Sequence, residues 1–299
     1  MVLRRRPHSL IFSLPAMWTD ISAKYRKLDE VPFAVWMIAQ ASRGDLSVGL
    51  YSWAHVLLPL VADKKCNSQS RDYILQLVEN ILSNLDASTV LVNGTLSDGK
   101  RLIPPHVFEG LLRLTFPASS ARVKDTERFE STYPLLKEVA LAGAPGSETV
   151  KQIFTSTLKL AGEGNAILAN EATSIAIWLL VAEDADCFNL WDSIYEENLE
   201  ASVALLKKLV DEWKDHSLKL SSSPGDIKRT IKSFRIKNVI AISDGRANAS
   251  LYIDADKSCK VLSGRLSRGT GCLIGTAITA VLLAAAGVAA AAITKVSFL

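Results

Sequence analysis

The stretch nearest to a catalytic signature is Gly94-Thr95-Leu96-Ser97-Asp98-Gly99-Lys100-Arg101, which satisfies the spacing G-x-x-x-x-G-K after an apolar Val-Leu-Val. Such a loop holds phosphates on its backbone amides, and it needs Ser or Thr after the lysine for magnesium and a helix that starts there. Arg101 takes that place and Pro104-Pro105 follow closely. The stretch is therefore expected to be a turn-rich loop, with a nucleotide-dependent enzyme using Gly94–Lys100 as the lesser alternative. His8, His55, His106 and His216 share no ligand spacing, and Cys66, Cys187, Cys259 and Cys272 form no disulfide framework or metal pattern. Cys66 has His55 eleven residues earlier but nothing to activate it. Gly162-Glu163-Gly164 lacks the third glycine and the preceding strand of a dinucleotide site, and no Gly-x-Ser-x-Gly elbow occurs. The expectation is a protein that is not an enzyme and carries no cofactor or metal. The scattered cysteines agree with a reducing cytosol.

Two stretches point instead to surfaces. In Asp226–Ile240, Ile227, Ile231, Phe234 and Ile240 form a stripe opposite Lys228, Arg229, Lys232 and Arg235. Two arrangements fit, a membrane-surface helix and a packed helix with a basic solvated face. With Arg265 and Arg268 these cations make a basic neck. It has no aromatic platform, so nucleic acid is not expected as a partner. Beyond it, Cys272–Thr294 contains no charge and as a helix would reach roughly 35 Å. Its start Cys272 and its large aliphatics Leu273, Ile274, Ile278, Val281, Leu282, Leu283, Val288 and Ile293 predict a C-terminal transmembrane helix over 271–294. Gly271 and Gly275 form GxxxG, which would allow a homodimer through the span. Lys260, Arg265 and Arg268 before the span, against Lys295 after it, would keep the preceding chain in the cytosol. With only 295–299 after it, this would be a tail anchor.

The elements that position these stretches read as helical. At 299 residues, 48% hydrophobic and 22% charged, the chain can bury a real core. Its net charge of +3 conceals an acidic stretch over 28–206 and a basic one over 207–268. Asp29 and Pro32 open one helix, and Ile74, Leu77, Val78, Ile81, Leu82 and Leu85 recur at the spacing of a buried helical face. Thr89–Ile103 is the strand-like passage, a small hairpin or an ordered loop. Phe188–His216 reads as one long amphipathic element, and Ser221–Gly225 as a linker. Arg4–Arg6 and the following apolar run resemble a signal region, but Pro7 and Pro15 interrupt it and the start is expected to be disordered. The predicted fold is all-α: a solenoid-like stack of antiparallel helices (HEAT/armadillo-like) with the C-terminal transmembrane helix. Its parts would be a disordered 1–23, a helical-repeat body over 24–220, a basic amphipathic neck over 221–270, the anchor and the short tail.

Longer runs carry a resemblance. KLDEVPFAVWMIAQAS (27–42), GDLSVGLYSWAH (44–55), TFPASSARVKDTERFESTYPLLKEVALAGAPGS (115–147), NLEASVALLKKLVDEWKDHS (198–217) and KVLSGRLSRGTGCL (260–273) make the chain similar to the transmembrane protein 214 family, its plant members in particular. The likeness begins near Lys24, and family members carry a longer N-terminal region. It implies a protein of the endoplasmic reticulum membrane, and animal members are linked to stress-induced cell death through recruitment of a caspase. The expected function is a membrane-anchored scaffold or adaptor that recruits a protein partner, with a passive membrane tether or membrane-shaping protein as the alternative.

Overall fold

The computed structural model describes residues 1–20, 31–63, 66–142, 147–182, 185–222 and 224–269. In chain order it places α1 (Val2–Arg5), α2 (Ser9–Asp20), α3 (Val31–Ser42), α4 (Leu46–Ser52), a π-helical turn (Trp53–Leu57), α5 (Leu58–Ala62), α6 (Ser68–Leu82), α7 (Ala87–Val90) and α8 (Pro105–Thr115). After these come α9 (Lys124–Leu141), α10 (Glu148–Ala161), α11 (Ala166–Ala182), α12 (Ala185–Ile194), α13 (Leu199–Asp211), α14 (Trp213–Ser222), α15 (Pro224–Ser243) and α16 (Ala249–Gly269). Among the described residues there is no strand, only an isolated bridge between Thr95 and Arg101, so the chain is all-α.

Several helices start where the sequence supplies an acceptor for their orphan amides. Asp45 accepts from the amides of Ser47 and Val48 to open α4, Asn67 from Ser70 to open α6, and Ser147 from Val150 to open α10. Pro105 opens α8, where its missing N–H leaves nothing unsatisfied. Within α6 the apolar spacing buries Ile74, Leu77, Val78 and Ile81 as read. Leu85 leaves the stripe and is fully exposed, because the helix ends at Leu82.

Packing proceeds in series. The α3 helix lies on α4 and α6, α6 on α9, α9 on α8, α8 on α10, α10 on α11 and α13, and α13 on α16. The last helix pairs with α15, which also packs on α12. Buried residues from Leu10 to Leu266 join into one hydrophobic core along this row. The first residues are part of it: Leu10 and Leu14 of α2 are buried, and α1 rests on α3, where the sequence had suggested disorder. Phe188–His216 divides into α12, α13 and α14, with a turn at 195–198 between the first two. The expected linker at 221–225 shrinks, with α14 ending at Ser222 and α15 starting at Pro224.

The C-terminal transmembrane helix is the expectation that must be corrected. No helix among the described residues is long and apolar enough to cross a membrane. The longest, α15 and α16 at 20 and 21 residues, carry charges along their length. The residues assigned to that span and its dimer motif (Gly271, Cys272, Leu273, Ile274, Gly275, Ile278, Val281, Leu282, Leu283, Val288 and Ile293) lie outside the described residues. The physical weakness of the expectation is compositional: an Ala- and Gly-rich run has few large aliphatics, each worth only about −0.3 to −0.6 kcal/mol on insertion.

Candidate interaction surface

The end of the stack exposes a group of branched aliphatics on α15 and α16. On α15 the buried positions are Ile227, Thr230, Ile231, Phe234, Asn238 and Ala241, a helical stripe that faces the preceding helices. Phe234 stacks on Tyr195 at 3.9 Å between ring centroids and meets Trp191 edge-on at 4.9 Å. The Tyr195 hydroxyl donates to Asn238 Oδ1 at 2.7 Å, and burial pushes this phenol well above the ordinary tyrosine range. Trp191 Nε1 donates to Ser202 Oγ at 3.1 Å. The stripe read as amphipathic is therefore docked on protein through three of its members. Ile240 is not one of them, because the buried period runs through Asn238 and Ala241 and leaves Ile240 on the opposite face.

That opposite face carries Arg229, Lys232, Ile236, Val239 and Ile240 at spacings of three and four, with Ile236 53% and Ile240 46% exposed. The turn after α15 contains Gly245 and Asn248, both with positive φ, and α16 returns antiparallel. Ile253 and Val261 are exposed as well. The terminal pair thus shows branched aliphatics interrupted by lysines, a composition that suits a protein contact.

The basic charge read from the neck is largely spent within the fold. Arg229 pairs with Asp226 at 2.8 Å, and Arg235 with the buried Asp256 at 3.4 Å, which also holds Lys260 at 2.7 Å. Lys237 reaches Asp192 at 2.8 Å, Arg246 reaches Glu196 at 2.9 Å, and Arg265 donates to the Val210 carbonyl. Lys228 is half-buried, Lys232 is exposed within the stripe, and the side chain of Arg268 lies outside the described residues. These bonds tie α15 and α16 to α12 and α13 and reduce the positive field that an anionic surface would meet. Arg229 and Lys260 are held by acids three and four residues away, whereas the partners of Arg235 and Arg265 stand 21 and 55 residues away along the chain, out of reach of local spacing.

The Gly94–Lys100 loop closes on itself. The Leu102 amide donates to the Gly94 carbonyl at 2.8 Å, Leu96 to Lys100 at 2.7 Å and Gly99 to Leu96 at 2.9 Å, while the Lys100 amide reaches Asp98 Oδ1. Lys100 is paired with Asp98 at 2.9 Å, and the Arg101 guanidinium donates to the carbonyls of Ala140 and Ala142. The amides of Leu96, Gly99 and Lys100, which would face a phosphate, are thus bonded within the loop. Gly94 has φ +66°, and a Cβ there would lie 2.7 Å from the Val139 carbonyl oxygen. Gly94→Ala is expected to destabilise the protein by about 1–3 kcal/mol, read from urea denaturation, because left-handed strain and a backbone clash coincide. An unchanged midpoint would contradict this placement of the loop on α9.

Among the described residues no group of three or more His, Cys, Asp and Glu could hold a metal ion. Cys66 is half-buried and burial raises its pKa despite the neighbouring Arg71. Cys259 is buried and pushed up to about 12, mainly by burial and then by Asp256. Among the described cysteines iodoacetamide at pH 8 is accordingly expected to label Cys66 first and Cys187 and Cys259 only on unfolding, as peptide mapping would show. Prompt labelling of Cys259 would contradict the docking of α16.

Comparison with known proteins adds independent findings. The family model described as "TMEM214, C-terminal, caspase 4 activator" matches residues 26–296. Transmembrane protein 214-A of Xenopus laevis is 25% identical over 277 residues, covering 90% of this chain and 37% of its own length. Transmembrane protein 214 of Homo sapiens is 24% identical over 229 residues, covering 76% of this chain and 31% of its own. The mouse protein of the same name is 24% identical over 238 residues, 79% of this chain and 32% of its own. The chain thus spans about a third of the length of these relatives. No solved structure gives a significant match.

Proposed function

Because the chain belongs to the transmembrane protein 214 family, whose C-terminal region bears the description of a caspase 4 activator, we propose that it is a non-enzymatic helical adaptor at the endoplasmic reticulum membrane that recruits a protein partner. A caspase is the first candidate for that partner. The observation that supports the reading in this chain is the exposed apolar stripe of α15 and α16, held rigidly by Phe234 and by the ion pairs to α12 and α13. Rigid presentation lowers the ordering cost of association. The body faces the cytosol, in keeping with cysteines that form no disulfide among the described residues.

Two experiments test this reading. In microsomes, Asn93-Gly94-Thr95 and Asn248-Ala249-Ser250 serve as reporters, since Asn93 and Asn248 are both exposed in turns and open to glycosylation on the luminal side. Absence of glycan and digestion of the body by added protease are expected. A glycan at either site would overturn the cytosolic placement. Purified caspase 4 titrated onto the membrane-bound chain is expected to bind saturably. The adaptor reading is withdrawn for this partner if no binding occurs at tens of micromolar.

A further inference from the structure

At the other end of the row a cavity of about 400 Å3 opens between α2 and the segment from α4 through the π-helical turn to α5. Its walls are apolar, with Leu10 and Leu14 on one side and Val56 and Leu60 on the other, and its polar members include Tyr51 and His55. Among the described residues no Lys, Arg, Asp or Glu lines it. This size and composition fall within the range of small-molecule sites, apolar with a few placed polar groups. The turn at Trp53–Leu57 is π-helical, a feature frequent at functional sites.

The polar end is defined by one hydrogen bond. His55 Nε2 lies 3.3 Å from the Arg101 carbonyl oxygen, which can only accept, so Nε2 carries the ring proton. Tyr51 stacks on the imidazole at 4.0 Å between centroids and fixes its plane. Burial lowers the His55 pKa, against the opposing effect of the Arg101 carbonyl, and keeps the ring neutral. In a neutral ring with Nε2 protonated, Nδ1 is an acceptor.

We propose that this cavity binds a neutral amphiphile, an alkyl body with one hydroxyl that donates to His55 Nδ1. A carboxylate of the same length is disfavoured by chemistry, since a neutral imidazole acceptor does not receive an anion and Lys100, the cation near Tyr51 and Phe12, is already paired with Asp98 at 2.9 Å. The site is separate from the α15–α16 surface and does not depend on it.

The test is calorimetric titration of the full chain with 1-octanol at pH 7.5, with octanoate and 1-methoxyoctane as comparators. Octanol is expected to bind saturably at one site, at least about tenfold more tightly than octanoate. His55→Phe keeps an apolar ring but removes the acceptor. It is expected to weaken octanol about tenfold while 1-methoxyoctane, which has no donor, stays within about twofold. Val56→Trp, which fills the cavity from its half-buried rim, should weaken both. Octanol that fails to saturate overturns the proposal, as does binding that neither substitution alters or octanoate binding as tight as octanol.

Discussion

Replacing Ile236 and Ile240 together by glutamate is expected to weaken partner binding by at least about 30-fold while leaving the unfolding midpoint nearly unchanged. Both side chains stand on the solvent face of α15, about half exposed and close in sequence to the exposed Val239. A buried anchor at the centre of an interface contributes about 1–2 kcal/mol or more when lost, and two such losses amount to roughly a 30-fold to 1,000-fold change. Glutamate adds a desolvation penalty if the contact forms. Neither residue touches the buried face of its helix, so stability should move by no more than about 0.5 kcal/mol for each. Binding and chemical denaturation measured on the same preparation separate the two effects. A variant that binds like the parent would remove this surface from the account.

The second large effect is expected from the opposite face of the same helix. Phe234→Ala should lower stability by about 3–5 kcal/mol. Phe234 is fully buried, stacked on Tyr195 and edge-on to Trp191, and its loss opens a cavity among rings that cannot collapse onto one another. Ile236→Ala, two residues later, should cost only a few tenths of a kcal/mol. The contrast is the signature of a helix docked on protein. A lipid-facing stripe would give a small effect at Phe234 in the absence of membrane, and that result would require α15 to be detached from α12.

Much of the helical architecture was legible because caps and periods are local. The Asp45, Asn67 and Ser147 caps and the Ile74–Ile81 stripe follow from residues within a few positions of each other. What local reading could not supply was the partner of each face. Ile227, Ile231 and Phe234 are as suited to lipid as to protein, and only Tyr195 and Trp191, roughly 40 residues earlier, decide between them. Arg235 and Arg265 of the neck looked available for the same reason, while Asp256 and the Val210 carbonyl were invisible to spacing. Ile240 was assigned to the wrong face because the buried period includes Asn238, a polar residue that is satisfied by Tyr195 through its carbonyl oxygen. The exposed stripe had a signal after all: Lys232, Ile236, Val239 and Ile240 repeat at spacings of three and four beside the stripe that was read. The apolar run after α16 shows the limit of composition, since hydropathy gives a preference for leaving water and says little about what receives the segment.

The central claim is that α15 and α16 form the partner-binding end of a rigid helical stack. Hydrogen exchange of the chain with and without bound caspase 4 tests it most directly. Slowed exchange confined to 232–243 and 250–264, with α6 and α9 unchanged, is the predicted result. Protection centred on any other helix, or none on the terminal pair while the partner is bound, would contradict it.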